Sequence, residues 1–260
     1  MNSGVVTYFT KGKVLNNIGT HQKLDKTAFR ITSPYFDHKY FPTRNLILKF
    51  EGMGGPDGLK FKGKYTSDHL WDPINKIGYL PVWIEIHYQN LVEALKQKDY
   101  VKAAFEAGFM AHYLTDSLTP AHHVSNKLLT AEYENASKAR LGWLYFGRKG
   151  IMSSHVMFES GVSMTVGLNR LRVKFDEDLY SKIQDQGIRK VVEEESLRIA
   201  KLDLYNKFLK NGWSAGLAKT VKTVVAKRIP QLIGAAWLSA YKDSGHSRKP
   251  ANLDGQVRPH

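Results

Sequence analysis

The segment at residues 99–118, DYVKAAFEAGFMAHYLTDSL, constrains the fold of this chain more than any other. This mostly apolar run has the periodicity of an α-helix. Residues three and four apart share a helix face, so Phe105, Phe109 and His112 fall on one line that continues to Asp116. Because the two phenylalanines belong in the core, the same face carries the histidine and the aspartate inward.

The charge of an inward-facing carboxylate at position 116 must be compensated, because an unpaired one would destabilise the fold by several kcal/mol. One explanation is a hydrogen bond between His112 and Asp116 inside the core. The other is a metal ion bound by both, since i,i+4 spacing places two side chains on one cation, as in HExxH helices. Taken alone, the H-x3-D spacing favours the hydrogen bond.

Further residues of the metal-binding type follow the helix. Pro120 is a stop signal, and His122 and His123 come directly after it, so either one can fold back toward the same pocket. Downstream, His155 and Glu159 repeat the i,i+4 pairing of histidine with carboxylate on a predicted helix. The spacing alone does not decide which of the two adjacent histidines contributes.

A further histidine, His69, lies upstream between turn signals in SDHLWDP. The chain contains no cysteine, so a metal ion must be bound by histidine and carboxylate. These ligand types suit zinc. Each motif alone is weak support for a metal site, and their combination favours one.

The chain as a whole is predicted to be an all-α single domain, because period-two alternation is scarce. Its 260 residues with 42% hydrophobic content are enough for one substantial core. We predict a domain over 1–243 and a disordered, polar tail over 244–260. Helices are predicted at about 18–30, 82–97, 99–118 and from 155, with two or three more between 177 and 243, one of them covering 185–211. Turn formers predict a long irregular segment over 33–76.

The charge of the chain favours anionic partners. The formal net charge is +14, and residues 204–249 contain nine Lys or Arg against one acidic residue, Asp243. That region is expected to be a solvated basic face, or a peripheral contact for anionic membrane surfaces or polyphosphate. The start, MNSGVVTYFTKGKVLNN, lacks the features of a secretory signal, as the start of a mature chain also would, and no run reaches membrane-spanning length. The sequence leaves the compartment and the oligomeric state open.

The motifs together resemble those of the zinc-dependent bacterial phospholipases C, which share their fold with the fungal single-strand zinc nucleases. That family has an H-x3-D helix, a histidine six residues after the aspartate and a proline two before that histidine; His112, Asp116, Pro120 and His122 match. HVMFE at 155–159 resembles its HVxFE element, and HLWDP at 69–73 its histidine followed by an aromatic residue, Asp and Pro. Asp57 matches an acidic residue about a dozen positions upstream, and GTH at 19–21 supplies His21. The resemblance spans roughly residues 16–243.

The resemblance implies an all-α hydrolase with up to three zinc ions. One ion would be bound by Asp57, His69, His112 and Asp116, and a second by His122, His155 and Glu159. A third would be bound by His21, with Asp116 as a bridge. The implied reaction is attack of a metal-activated water on the phosphate of a glycerophospholipid, which gives diacylglycerol and a phosphorylated headgroup. Asp57 would orient or deprotonate that water.

The sequence departs from this family at its N-terminus. Family members, which are typically secreted, begin with a tryptophan that binds the third zinc, whereas this chain has no Trp before Trp71. The third site is therefore either absent or completed near Tyr8 to Lys11. Two other functions stay open: a nuclease or nucleotidase on the same scaffold, which the basic charge favours, and a non-catalytic lipid- or phosphate-binding protein. TPAH at 119–122 favours the phospholipases over the nucleases, and the headgroup is not indicated.

Overall fold

The structure, a computed structural model, describes residues 19–51, 54–61, 69–123, 151–167 and 171–247. Within these ranges the regular structure is helical, and the only β pairing is an isolated antiparallel bridge between Asp72 and Ile77. The predicted all-α class is confirmed. The stretch at 125–150 and residues 248–260 of the predicted tail lie outside the described residues, and the proposed domain boundary stays a prediction.

The described chain has a 3-10 turn at Ser33–Tyr35, another at Pro120–His122 and a π turn at Val221–Val225, and its other helices are α-helices. They are α1 (Thr20–Thr32), α2 (Arg44–Lys49), α3 (Pro56–Phe61), α4 (Leu80–Lys96), α5 (Tyr100–Ser117), α6 (Ile151–Gly167), α7 (Glu177–Gln186), α8 (Ile188–Ala200), α9 (Leu204–Asn211), α10 (Ala215–Thr220) and α11 (Ala226–Asp243).

Two predictions about the helices were wrong. The segment at 33–76 is not uniformly irregular, because it contains a 3-10 turn, α2 and α3. The side chain of Thr43 accepts a hydrogen bond from the backbone N–H of Leu46, and this cap starts α2 within a run of turn formers.

The predicted continuous helix over 185–211 is two helices, α8 and α9, and the region from 177 to 243 holds more helices than expected. Asp203 lies between α8 and α9 with a φ of 54°, in the left-handed region that interrupts a right-handed helix. Gly187, with a φ of 83°, separates α7 from α8. Hydrophobic periodicity ran through both breaks, so the pattern alone did not reveal them.

The core is built around α5 and α11. Every residue of α5 from Glu106 to Ser117 is buried, as is every residue of α11 from Leu232 to Tyr241. The indole N–H of Trp237 donates to the backbone carbonyl of Ala107 at 3.1 Å and ties the two helices together. Helix α4 packs along α5, and α1 packs along α11. None of the described helices combines the length and hydrophobicity needed to cross a bilayer.

A close approach of α2 to α5 depends on Gly108. A Cβ at this position would lie 3.1 Å from the carbonyl oxygen of Ile47 and 3.2 Å from Cβ of Phe50. The missing side chain lets the end of α2 rest on α5 one turn before His112. This packing brings Glu51, the residue after Phe50, to the same end of α5.

Candidate metal centre

Asp116, in the last turn of α5, lies at the centre of a cluster of four histidines. The carboxylate is 1% exposed. Its Oδ1 lies 3.6 Å from Nε2 of His21 and 3.4 Å from Nε2 of His122. Its Oδ2 lies 2.9 Å from Nδ1 of His69 and 3.2 Å from Nε2 of His112. Each oxygen therefore faces two imidazole nitrogens, the arrangement expected of a bridging carboxylate.

Local structure explains why α5 ends with this residue in place. The side chain of Asp99 accepts from the backbone N–H of Lys102 at 3.0 Å and caps the start of the helix. At the other end Pro120 opens the 3-10 turn that contains His122. The chain thus turns back within six residues of Asp116, as the sequence predicted.

A second group is formed by His122, His155 and Glu159. Oε1 of Glu159 lies 3.1 Å from Nε2 of His122 and 2.9 Å from Nε2 of His155. Nδ1 of His122 lies 3.0 Å from the carbonyl oxygen of His69, which can only accept, so this nitrogen donates and the lone pair is on Nε2. The backbone N–H of Trp71 donates to the carbonyl of His122 at 3.0 Å and fixes the two segments together.

The structure separates the two adjacent histidines that the sequence left open. His122 faces the cluster, whereas Nε2 of His123 lies 2.7 Å from the carbonyl oxygen of Ser117 and donates to it. Burial lowers the pKa of His123 to about 4, against the favourable backbone bond to Ser117. His123 is therefore a neutral structural donor at neutral pH.

Asp57, at the start of α3, lies at the accessible side of the cluster. Its Oδ1 is 3.6 Å from Nε2 of His112 and 4.0 Å from Nδ1 of His69. Its side chain is 29% exposed and that of His155 is 18% exposed, whereas that of Asp116 is 1% exposed. Burial would raise the pKa of Asp57, but the neighbouring imidazoles outweigh burial and hold the pKa well below its usual range. The carboxylate is ionised, as a metal ligand must be.

Sequence reasoning missed Glu51, which is fully buried beside two of the histidines. Its Oε1 lies 3.1 Å from Nδ1 of His21 and 3.0 Å from Nδ1 of His112. No spacing rule links position 51 to positions 21 and 112, because the contact exists only once α2 packs on α5. No local signal in the sequence indicated this residue.

Asp25 was also missed, although the sequence contained a signal for it. It follows His21 at i+4 on α1 and so repeats the H-x3-D spacing of His112 and Asp116. Asp25 is 1% exposed, and neither carboxylate oxygen has a hydrogen-bond partner. Burial, and then the charge of Glu51, raise the pKa of Asp25 well above its usual range. In the metal-free protein we therefore expect Asp25 to be a neutral acid.

The protonation states of the cluster suit metal binding. Burial lowers the pKa of His122 well below its usual value and that of His155 to about 4, so both present unprotonated nitrogens at neutral pH. Burial alone would raise the pKa of Asp116, but His122 and His112 outweigh it and hold that pKa well below its usual range. For His112 burial is outweighed by Asp116, Glu51 and Asp57, which raise its pKa. In the metal-free protein this histidine carries the compensating positive charge.

The donor set fits zinc. Ligand distances of about 2.0–2.2 Å in a tetrahedral site place neighbouring donors roughly 3.4 Å apart, and the donor pairs around Asp116 lie between 2.9 and 3.6 Å apart. Nε2 of His112 is buried without a hydrogen-bond partner. Among the residues that the structure describes, three groups of donors could each hold a metal ion: His21, Glu51 and His112; Asp57, His69 and His112; and His122, His155 and Glu159.

The eight residues predicted from the sequence thus lie together, and their role as metal ligands stays a prediction. The first two predicted ion positions correspond to two of these donor groups, with Asp116 in contact with both. At the third, His21 reaches Asp116, and Glu51 is an unforeseen neighbour. The segment from Tyr8 to Lys11, considered as an N-terminal contribution, lies outside the described residues.

Another buried histidine, His87 on α4, has a different environment. It was predicted to be partly buried, and it is 5% exposed, with Nδ1 lying 2.6 Å from Oε2 of Glu106 on α5. His38 is exposed and lies outside the cluster. A histidine hydrogen-bonded to a carboxylate in the core was one explanation for His112, and His87 shows that arrangement between α4 and α5.

Comparison with known proteins supports the fold. The chain matches no protein-family model, and no curated protein matches its sequence. Its structure is similar to that of Clostridium perfringens alpha-toxin from an avian strain, with a TM-score of 0.58 and 17% identity over 87% of this chain and 64% of that chain. It is also similar to the alpha toxin of Clostridium absonum, with a TM-score of 0.57 and 15% identity over 87% of this chain and 63% of that one. The chain spans less than two thirds of either toxin, and the likeness concerns the all-α fold.

Proposed function

We propose that this chain is a zinc-dependent phosphodiester hydrolase of the phospholipase C type. It would cleave a glycerophospholipid on the glycerol side of the phosphate, releasing diacylglycerol and a phosphorylated headgroup. The observation that carries the proposal is the placement of both oxygens of Asp116 within 3.6 Å of four imidazoles. The motif resemblance to the zinc-dependent phospholipases C supports it further.

Zinc would be held by Asp57, His69, His112 and Asp116 at one position, by His122, His155 and Glu159 at a second, and by His21 with Asp116 at a third. Bound zinc would supply a water of lowered pKa and positive charge next to the phosphate oxygens. In the overall reaction, water adds to phosphorus, the bond from phosphorus to the glycerol oxygen breaks, and the leaving oxygen gains a proton.

Asp57 is the residue best placed to act on the attacking water. Its partial exposure places it on the side from which a substrate can enter, opposite the buried His21 and Glu51. Because its pKa lies well below the usual range, this carboxylate is a weak proton acceptor. We therefore assign Asp57 the role of ligand and of orienting acceptor for water, ahead of the general-base role.

A nuclease or nucleotidase is the second candidate, and the charge of the chain favours it. The net charge is +14, and Arg172, Lys174 and Lys227 line a basic groove outside the residues of the cluster. Polyanions such as single-stranded DNA or RNA bind surfaces of this type.

One assay distinguishes these functions. Zinc-loaded protein is incubated with vesicles of phosphatidylcholine, phosphatidylethanolamine or phosphatidylglycerol, and separately with single-stranded DNA and RNA. Chelator-treated protein serves as the control. Diacylglycerol in the organic phase with a water-soluble phosphorylated headgroup supports the first function, and oligonucleotide products support the second. Zinc-loaded protein that binds anionic vesicles but cleaves none of these substrates would contradict the phospholipase and the nuclease functions and favour the non-catalytic alternative.

A further inference from the structure

His21 and His112 form a stacked pair with a common orientation. Their ring centroids are 4.3 Å apart, and the ring planes differ by 16°. Both Nδ1 atoms face the same oxygen, Oε1 of Glu51, at 3.1 and 3.0 Å. Both Nε2 atoms face Asp116, at 3.6 and 3.2 Å. One carboxylate therefore lies behind the pair and another in front of it.

This orientation bears on which nitrogen of each ring carries the proton. A neutral imidazole has one N–H and one lone pair, and an ionised carboxylate can only accept. Nδ1 of His112 lies 3.0 Å from Oε1 of Glu51 with the geometry of a hydrogen bond, whereas Nδ1 of His21, at 3.1 Å from the same oxygen, does not meet that geometry. With Nδ1 protonated on both rings, the lone pairs of both Nε2 atoms point to the proposed metal site.

We propose that Glu51 is a positioning residue that holds His21 and His112 in the Nδ1–H tautomer, so that both present Nε2 to metal. The inference rests on the proposed metal site and extends it, because Glu51 has no counterpart among the ligands implied by the sequence. Histidine ligands in proteins usually donate their second N–H to a carboxylate or carbonyl, which orients the ring and raises its basicity. Here a single carboxylate would serve two ligands from two helices.

The surroundings of Glu51 make it suited to this task. The residue is 0% exposed, so water does not compete for its oxygens. Gly108 lies one turn before His112 on α5, and the close packing of α2 against Gly108 fixes the backbone that leads into Glu51. Its other oxygen, Oε2, has no hydrogen-bond partner, and burial together with the charge of Glu51 raises the pKa of Asp25.

Glu51→Gln tests the proposal with the least structural change, since glutamine has the same size and keeps one acceptor oxygen. Glu106→Gln is the matched control, because it makes the same substitution in the buried pair with His87. For each protein, zinc content at saturation is measured by elemental analysis, and zinc affinity by competition with a chromophoric chelator. Long-range ¹⁵N–¹H correlation spectra of the zinc-loaded proteins report the tautomer of each histidine.

We expect zinc-loaded wild-type protein to show protonated Nδ1 and metal-bound Nε2 at both histidines. Glu51→Gln should reach the same zinc content at saturation, bind its weakest zinc about 10- to 100-fold less tightly, and lose the hydrogen-bond-shifted Nδ1–H signals. Glu106→Gln should change none of these. Unchanged zinc affinity and Nδ1–H signals in Glu51→Gln would overturn the proposal, and so would metal-bound Nδ1 in the wild type.

Two further outcomes separate this inference from the proposed function. If Glu51→Gln loses one zinc ion at saturation, Glu51 is itself a ligand, and the positioning role is wrong while the metal site stands. If wild-type protein binds no zinc, both the positioning role and the proposed function fail. None of these measurements requires catalytic activity, so a protein that binds zinc without hydrolysing lipid still tests the role of Glu51.

Discussion

Helix α5 contributes to two buried groupings of histidine with carboxylate, and they differ in kind. Near its start, Glu106 pairs with His87 of α4 through one contact of 2.6 Å, and Asn90 lies 3.5 Å from the same oxygen. Near its end, Asp116 is approached by four imidazoles. The first grouping resembles an ordinary core hydrogen bond. The second gathers more nitrogen donors around one carboxylate than its hydrogen bonds require.

The difference shows that burial of a histidine next to an acid does not identify a metal site. Nδ1 of His87 is bonded to Glu106, and its ring packs beside Phe109 and Tyr113 at centroid distances of 5.4 and 5.5 Å. What distinguishes Asp116 is the convergence of donors from separate elements and the presence of a partly exposed side at Asp57. The number of nitrogen donors and the access of solvent, rather than burial, separate the two environments.

The largest expected effect comes from removing the central charge. Asp116→Asn should abolish stoichiometric zinc binding and lower phosphodiester hydrolysis by more than the roughly 100-fold typical of residues that only support a ligand. Elemental analysis and release of water-soluble phosphate from vesicles measure these effects. The paired variant, Glu106→Gln, should keep its zinc and activity and lose about 1–3 kcal/mol of unfolding free energy. Equal loss of zinc in both variants would erase the distinction between the two groupings.

The adjacent histidines after α5 give a narrower test. His122→Gln should lower the zinc content, because Nε2 of His122 lies within 3.4 Å of both Asp116 and Glu159. His123→Gln should retain all of its zinc, since glutamine can still donate to the carbonyl of Ser117. Zinc content by elemental analysis, with circular dichroism as a check on folding, decides the matter. Loss of zinc in His123→Gln with full zinc in His122→Gln would show that His123, rather than His122, belongs to the cluster.

The smallest effect concerns pH. Folded His123 has a pKa of about 4, below the ordinary value of about 6.5. Between these values the unfolded chain binds the proton and the folded chain does not, so wild-type protein loses stability as pH falls from about 6.5 to about 4. Relative to His123→Gln, the loss should reach at most about 3.5 kcal/mol, at roughly 1.4 kcal/mol per pKa unit. Denaturation of the metal-free proteins across this range measures it, and a stability difference independent of pH would contradict the assignment.

The sequence predicted those parts of the site that local spacing determines. His112 with Asp116 and His155 with Glu159 are i,i+4 pairs on helices, and His122 follows a proline that turns the chain back. The same spacing at His21 and Asp25 was overlooked. His69 was a candidate by residue type and turn context, and family resemblance, rather than local physics, linked His21 and Asp57 to this centre.

Tertiary packing determined the rest. Glu51 reaches His112 because Gly108 lets α2 rest on α5, and no periodicity in either segment contains that information. The all-α class followed from the scarcity of alternating patterns, whereas the break at Asp203 depends on a single left-handed residue inside an otherwise helical pattern. Single backbone conformations and contacts between distant segments are therefore what the sequence did not predict.

The most direct test of the central claim combines zinc stoichiometry with an anomalous-scattering map of crystals of protein purified without chelator. Two or three zinc ions per chain are expected, with peaks between Asp57, His69, His112 and Asp116, and between His122, His155 and Glu159. A third peak would lie beside His21. Less than one tightly bound metal ion per chain, or peaks confined to other parts of the surface, would contradict the account.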